Sequence, residues 1–174
     1  MNINLRALTK DDLPVTLAWN NDSEIQENYL GHPFPVNKEM EELWYDKILI
    51  SNFPTTLFGV EIIESKILIG LFILKNISML NRSAELAIYI GNTDYRKKGL
   101  SYEIMKEGLS FGFNKLGLKR IDLHVLEKNK NAIHIYEKCG FVKEGVLRQS
   151  VFKNGSYHNQ FVMSLLDNEF YGHV

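Results

Sequence analysis

The sequence predicts an α/β (α+β) fold, a single domain of 174 residues with a mixed central sheet of about seven strands flanked by about four helices. Three observations support this prediction. Short apolar or alternating segments typical of strands recur along the whole chain. Around residues 84–116 a strand, a basic loop with a glycine and a long amphipathic helix follow one another. Near the end, Asn154-Gly155 separates two alternating segments, which is the pattern of a two-residue hairpin turn.

The first half of the chain predicts the antiparallel part of this sheet. Strands are expected at residues 3–8, 55–63, 67–77 and 83–90. Thr9 is a predicted N-cap for a helix that runs to about residue 20, and Asn37 is the predicted N-cap of a second helix. Residues 21–35 are predicted to be irregular because Gly31, Pro33 and Pro35 fall within them.

The second half predicts a strand–helix–strand unit followed by a hairpin. The amphipathic helix runs to residue 116, and Gly117 follows it as the C′ residue. A strand is expected at 120–126, and then a short helix that begins after Asn129 and ends at Gly140. The hairpin strands are predicted at 142–152 and 157–166.

Composition excludes several classes of protein. A net charge of −1 argues against a general nucleic-acid binder, which is usually basic. Cys139 is the single cysteine, so no internal disulfide can form, as expected in a reducing cytosol. The first residues lack the apolar core of a signal peptide, and the longest apolar run, residues 67–74, is too short to cross a bilayer. We therefore expect a cytoplasmic protein with neither nucleic acid nor membrane as a partner.

The basic loop Arg96-Lys97-Lys98-Gly99-Leu100-Ser101 predicts a phosphate site. The first N–H groups of a helix are unpaired, and the helix dipole adds partial positive charge there. Three basic side chains add full charges, although such a run can also be simply solvated. Neither the G-x-G-x-x-G pattern nor a G-x-x-x-x-G-K-[ST] loop occurs in the chain, so the two common nucleotide motifs are excluded.

Two motifs resemble one known superfamily. Arg96-x-x-Gly99-x-Ser101 resembles the [QR]-x-x-G-x-[GA] coenzyme A pyrophosphate loop of the Gcn5-related N-acetyltransferases (GNAT). Ser101 departs from the usual Gly or Ala, but serine is small and can itself cap a helix or contact a phosphate. The resemblance covers Arg6 to about Leu166 and is closest to the branch of ribosomal-protein-alanine and spermidine acetyltransferases.

The second motif is Asn129-x-x-Ala132-x-x-x-Tyr136-x-x-x-Gly140-Phe141. It is similar to the N-x-x-A-x-x-x-Y-x-x-x-G-F segment of the superfamily, in which the Asn and the Tyr face the cofactor. Asn129 has an alternative interpretation as a plain N-cap, and the two roles are compatible.

The resemblance implies the GNAT acyl-CoA acyltransferase fold and acetyl-CoA as co-substrate, with the backbone of residues 88–90 pairing with the pantetheine arm. No metal is expected, since the five histidines show no ligand spacing. The implied cofactor-binding residues are Ile88, Tyr89, Ile90, Arg96, Lys97, Lys98, Gly99, Leu100, Ser101, Asn129 and Tyr136.

Two residues are candidate catalytic groups. An amine with a pKa near ~10.4 must lose a proton before it attacks a thioester, which costs roughly 4 kcal/mol at neutral pH. Glu85 interrupts an apolar strand and matches the general base of many relatives; alternatively it is merely half-exposed at the strand start. Tyr136 matches the residue that protonates the departing thiolate, and it can also pack against Phe141 in a Schellman motif.

The acceptor is the least constrained part of the prediction. Tyr29 and His32, together with Glu85, are the candidate substrate-binding residues. The main hypothesis is an N-acetyltransferase that acts on a protein N-terminus or a small-molecule amine by direct transfer in a ternary complex. The alternatives are a polyamine acetyltransferase and a non-catalytic acyl-CoA sensor. Polyamine enzymes of this branch carry paired acidic residues where this chain has Gly31-His32, which argues against a polyamine. A homodimer or larger homo-oligomer is an expected assembly.

Overall fold

The structure, a computed structural model, describes residues 1–28, 30, 34–50 and 55–172. The described part contains seven strands in one sheet and six α-helices. The strands are β1 (Ile3–Ala7), β2 (Thr56–Ile62), β3 (Leu68–Ser78), β4 (Ser83–Ile90), β5 (Arg120–Leu126), β6 (Val142–Lys153) and β7 (Ser156–Leu166). The helices are α1 (Leu13–Asn20), α2 (Ser23–Asn28), α3 (Lys38–Ile50), α4 (Leu100–Ser110), α5 (Lys130–Lys138) and α6 (Asp167–Gly172).

The sheet is mixed, as the sequence predicts. Its strand order is β1-β2-β3-β4-β5-β7-β6. Every neighbouring pair is antiparallel except β4 and β5, which are parallel and are connected through α4. A parallel pair needs a crossover connection, and the long helix after the basic loop supplies it.

Helices cover both faces of the sheet, and alternation along β3 shows how. Phe72 and Leu74 point into a core shared with α4 and α5. Leu71 and Ile73 point to the opposite face, into a second core that includes Leu13 of α1 and residues of α2 and α3. Among the described residues, none of the helices has the length and apolar character needed to cross a bilayer.

Local signals in the sequence account for several element ends. Asn37 caps α3, because its side-chain oxygen accepts the N–H of Met40 at 2.9 Å. Asn154 and Gly155 both adopt positive φ, 50° and 77°, as the predicted hairpin turn requires. Thr9 precedes a short 3₁₀ turn, Lys10–Asp12, in which the Asp12 carboxylate accepts the N–H of Thr9 at 2.8 Å, and α1 then starts at Leu13.

The structure corrects three predictions made from the sequence. Part of the segment expected to be irregular forms α2, since Asp22 accepts the N–H of Ile25 at 2.9 Å and starts a helical turn. Helix α6 was missed because it is short and depends on a tertiary contact, the Phe113–Phe170 ring pair. The long helix is α-helical only to Ser110 and continues as a π-helix over Phe111–Lys115, where Leu116 donates to the carbonyl of Phe111.

Candidate active site

The parallel strands β4 and β5 separate part-way along their length. They pair at Ser83–Arg120, Ala84–Ile121 and Glu85–Asp122. Beyond these pairs β4 continues alongside β3 to Ile90, and β5 continues alongside β7 to Leu126. Within the described chain, the edge of β4 over residues 86–90 therefore faces a gap instead of a neighbouring strand. Such an edge can pair with an extended molecule that carries amide groups.

A cleft of about 760 Å³ runs through this gap and opens on both faces of the sheet. On the side of α4 and α5 it is lined by Leu86, Ile88, Leu100, Met105, Ile135 and Tyr136. On the opposite side it is lined by Glu85, Ala87, Tyr89 and His124, together with Glu24 and Ile25 of α2. The cleft thus joins the start of α4 to the polar face of the sheet.

The basic loop shapes one end of the cleft. Lys97 and Gly99 adopt left-handed backbone conformations, with φ of 59° and 79°, and Gly99 is the N-cap of α4. A side chain added at Gly99 would meet no atom within 4 Å, so the space over the loop is open. Leu100 and Ser101 of the first helical turn also line the cleft. Unpaired N–H groups and an open space at a helix start form a site for a phosphate.

Arg96 and Lys98 are positioned differently from Lys97. Arg96 lines the cleft, but its guanidinium donates to the carbonyls of Ile90 at 3.0 Å and Gly91 at 3.1 Å and pairs with Glu24 at 3.0 Å. It therefore ties the end of β4 to α2. Lys98 is not among the cleft-lining residues of the described chain; its ammonium lies over the Tyr95 ring, 5.1 Å from the centroid.

The second motif forms α5 and its two ends. Asn129 is the N-cap, since its side-chain oxygen accepts the N–H of Ala132 at 3.2 Å, and it also lines the cleft. At the other end Phe141 N–H donates to Tyr136 C=O, and Gly140 N–H donates to Glu137 C=O, each at 3.0 Å. These two bonds and the Tyr136–Phe141 ring contact at 5.9 Å form the predicted Schellman motif. The motif fixes Tyr136, a buried residue, in the cleft wall.

Glu85 lies at the point where β4 and β5 part. One carboxylate oxygen pairs with the Lys75 ammonium at 2.8 Å, and the other accepts from the Asn76 amide at 3.0 Å. The side chain is 25% exposed. Glu85 therefore lines the cleft as an ion-paired, half-buried carboxylate, an arrangement between the two interpretations that the sequence left open.

Two polar residues of β5 near this point, Asp122 and His124, were not among the residues predicted for the site. Arg120, Asp122 and His124 alternate along β5 on the face of the sheet opposite to Ile121 and Leu123, and His124 lines the cleft. Burial raises the pKa of the Asp122 carboxyl, and the Glu85 charge raises it further, against the lowering effect of Arg120. Alternation along the strand is the sequence signal that places these side chains on one face, and metal-ligand spacing among the histidines does not contain that signal.

The predicted substrate residues Tyr29 and His32 lie outside the described residues. The described parts of the same segment that line the cleft are Glu24, Ile25 and Leu30. Helix α2 is held over this end by Lys128, which pairs with Glu27 at 3.4 Å, and by Lys153, which donates to the carbonyl of Gln26. Across the described ranges, no cluster of three or more His, Cys, Asp or Glu side chains could hold a metal ion.

Comparison with known proteins identifies the family. The sequence profile described as "Acetyltransferase (GNAT) domain" matches residues 2–142. The chain belongs to the GNAT acetyltransferase family. This finding confirms the predicted acetyltransferase class, the mixed-sheet fold and acetyl-CoA as the co-substrate.

Two relatives of this GNAT protein, and a crystal structure of one of them, match over nearly its full length. The spermidine N(1)-acetyltransferase of Vibrio cholerae serotype O1 is 36% identical over 168 residues, which are 97% of this chain and 95% of that protein. The spermidine N(1)-acetyltransferase of Escherichia coli K12 is 32% identical over 97% of this chain and 88% of that protein. A crystal structure of the V. cholerae enzyme in complex with CoA and spermine superposes with a TM-score of 0.91 at 34% identity, covering 97% of this chain and 98% of that one.

Proposed function

We propose that this GNAT enzyme acetylates a primary amine of a polyamine such as spermidine. The full-length similarity to spermidine acetyltransferases carries this proposal. The side of the cleft opposite to α4 and α5 is called the acceptor side. Its acidic residues, Glu24, Glu85 and the adjacent Asp122, are compatible with a cationic substrate. The proposal gives the polyamine more weight than the sequence analysis did, because the missing acidic pair at Gly31-His32 concerns one short stretch.

The cofactor side of the cleft fits acetyl-CoA, which supplies the activated acetyl group as a thioester. The left-handed loop at Lys97 and Gly99 and the first N–H groups of α4 are the proposed pyrophosphate site. The edge of β4 that faces the gap, residues 88–90, is the proposed partner of the pantetheine amides. Asn129 is proposed to donate its amide N–H groups toward the same arm, since its N-cap bond uses its oxygen.

The proposed reaction is a direct transfer in a ternary complex. Glu85 binds the cationic acceptor amine at the gap between β4 and β5, and a backbone N–H of β4 polarises the acetyl carbonyl. Tyr136 donates its phenolic proton to the sulfur that leaves. Cys139 is not a competing nucleophile, because burial raises the pKa of its thiol to about 11 and the thiolate is the reactive form.

The proposed assembly is a homo-oligomer of single-domain chains in the cytoplasm. The edge strand β6 and the hairpin tip expose Val142, Val146 and Phe152, which are apolar. Exposed apolar groups along a sheet edge favour association. Light scattering coupled to gel filtration gives the mass in solution, and a monomer at all concentrations contradicts this part of the proposal.

The acceptor is tested by thiol release from acetyl-CoA with spermidine, spermine, an amino sugar, and peptides with an N-terminal Ala or Ser. We expect kcat/KM to be at least 100-fold higher for spermidine than for the peptides. If kcat/KM is higher for a peptide than for spermidine, the polyamine proposal is wrong and the acceptor is a protein N-terminus. A thermal shift with acetyl-CoA and no turnover on any amine contradicts the enzyme assignment and supports the sensor alternative.

A further inference from the structure

His124 is a titratable group on the acceptor side of the cleft that the proposed reaction does not yet use. It lies on β5, beyond the point where β4 turns away, and its ladder partner on β7 is Val162. Glu85, a second proton-accepting group on the same side of the cleft, has its oxygens bonded to Lys75 and Asn76. Both Glu85 oxygens are therefore already engaged by side chains of β3.

Asp122 connects these two cleft residues. It is the ladder partner of Glu85 on the neighbouring strand and lies two residues before His124, so all three share one face of the sheet. Its carboxylate is half-buried, and the Arg120 guanidinium is 3.9 Å away, beyond hydrogen-bond distance. A partly desolvated carboxylate beside an imidazole stabilises the protonated ring.

We propose that His124 receives the proton that the acceptor amine loses, and that Asp122 is a positioning residue that stabilises the resulting imidazolium. This proposal rests on the proposed function, because it needs an amine in the cleft. It gives Glu85 the separate task of attracting the cationic amine to the gap between β4 and β5.

The proton and electron balance of the step is complete. The ammonium form of the acceptor first passes one proton to the unprotonated ring nitrogen of His124, and the neutral amine nitrogen then forms a bond to the acetyl carbon. The carbon–sulfur bond breaks as the sulfur takes the proton of Tyr136, and the Tyr136 phenolate takes the second proton that the nitrogen loses. Product release then lets His124 return its proton to solvent. The two groups act on opposite faces of the sheet, as a direct transfer through a gap requires.

The charges that face His124 come from several elements. On β5 they are Asp122 and, two residues before it, Arg120, which forms an ion pair with Glu144 of β6. From β4 comes Glu85, from β3 Lys75, and across the cleft lies Glu24 of α2, which pairs with Arg96. His134 of α5 also lines the cleft, and Val162 of β7 carries no charge. Among the described residues, three carboxylates thus lie on this side of the cleft, and each has a cationic partner: Lys75 for Glu85, Arg96 for Glu24 and, at the longer distance of 3.9 Å, Arg120 for Asp122.

The test is the pH profile of kcat at saturating acetyl-CoA and spermidine, from pH 6 to 9.5, for wild type, His124→Gln and Asp122→Asn. We expect His124→Gln to lower kcat about 100-fold at pH 7, with a smaller deficit at high pH, where more of the amine is already neutral. Asp122→Asn should lower kcat about fivefold and move the rising limb of the profile to lower pH, because the ring loses its stabilising charge. A merely structural role would lower kcat equally at every pH.

Controls separate this proposal from the proposed function and from misfolding. His158→Gln, on β7 and not among the cleft-lining residues, should match wild type. Added imidazole should restore part of the activity of His124→Gly, and acetyl-CoA affinity by calorimetry should stay unchanged in all variants. If wild type acetylates spermidine and the kcat of His124→Gln lies within threefold of the wild-type value, the role of His124 is overturned and the proposed function is not. Absence of wild-type turnover on any amine contradicts the proposed function itself.

Discussion

The two sides of the cleft are built in different ways. The groups proposed to bind acetyl-CoA, which form the cofactor side, belong to three continuous segments, 88–90, 96–101 and 129–141, and many of them are backbone groups of β4 or of helix ends. On the acceptor side, the groups are side chains from β3, β4, β5 and α2, brought together by sheet register. A binding site made of backbone groups is unaffected by most side-chain substitutions. A site made of side chains changes with each substitution in it. The cofactor side is therefore the part that a family can share while its acceptors differ.

The largest expected effect concerns the backbone of the cofactor side. Gly99→Val puts a β-branched residue at a φ of 79° and fills the open space over the loop. We expect the Kd for CoA to rise about 1,000-fold by calorimetry. Gly117→Val is the matched control, since Gly117 has a φ of 63° in equally open space outside the cleft lining. Equal CoA affinity in the two variants would mean that the loop is not the phosphate site.

The same difference explains how much of each side of the cleft could be predicted from the sequence. The basic loop before α4, the N-cap at Asn129 and the Schellman motif at Tyr136–Phe141 are local patterns within about a dozen residues, so the sequence could predict where they lie. The gap between β4 and β5 is non-local. No residue marks the end of their ladder at Glu85–Asp122, so the sequence could not predict it.

The polar residues beside the gap show a further limit on what could be predicted from the sequence. Lys75 binds Glu85 across the β3–β4 ladder, and this ion pair changes what the Glu85 carboxylate can do. Asp122 and His124 could have been placed on one face by alternation, but their nearness to Glu85 depends on which strands are neighbours. Helix α2 was missed because its cap at Asp22 is a weak signal next to Gly31, Pro33 and Pro35.

A second prediction concerns Tyr136, the side chain of the cofactor side for which a chemical role is proposed. Tyr136→Phe keeps the ring contact with Phe141 and removes the phenolic proton. We expect kcat to fall about 100-fold, with little change in the KM for acetyl-CoA. Steady-state kinetics from pH 6 to 10 measures both, with Tyr102→Phe as the control outside the cleft lining. Full activity across this range would exclude Tyr136 as the general acid.

The third prediction concerns how the acceptor side is supported. A Cβ at Gly91 would lie 2.0 Å from the Trp19 ring, which packs α1 against the end of β4 and also contacts Tyr89. We expect Gly91→Ala to lower the free energy of unfolding by about 2 kcal/mol in urea titrations, since Trp19 must move. Gly145→Ala, where an added Cβ meets nothing within 4 Å, should change it far less. Equal stability of both variants would show that this packing is not needed.

The smallest expected effect lies on β6, beyond the cleft. Arg120 and Ser164 donate to the Glu144 carboxylate and lower its pKa from 4.5 to about 2. A carboxyl whose pKa is lowered on folding stabilises the fold above its unfolded pKa, near 4.5, and this stabilisation is lost as the pH falls to about 2. The side chain is 42% exposed, so we expect only about 1 kcal/mol.

Urea titrations of wild type and Glu144→Gln between pH 7 and 2 measure this contribution. The stability difference between the two proteins should be constant above pH 5 and should vanish toward pH 2. A difference that persists at pH 2 would mean that the carboxylate charge is not its source.

The most direct test of the account is hydrogen exchange of the backbone, measured by mass spectrometry with and without CoA. CoA should slow exchange in peptides that cover residues 86–90 and 97–102, because the edge of β4 and the first N–H groups of α4 would gain partners. Peptides of β6 and β7 away from the cleft should be unchanged. Protection at the start of α4 without protection of β4 would contradict the claim that the gap between β4 and β5 holds the pantetheine arm.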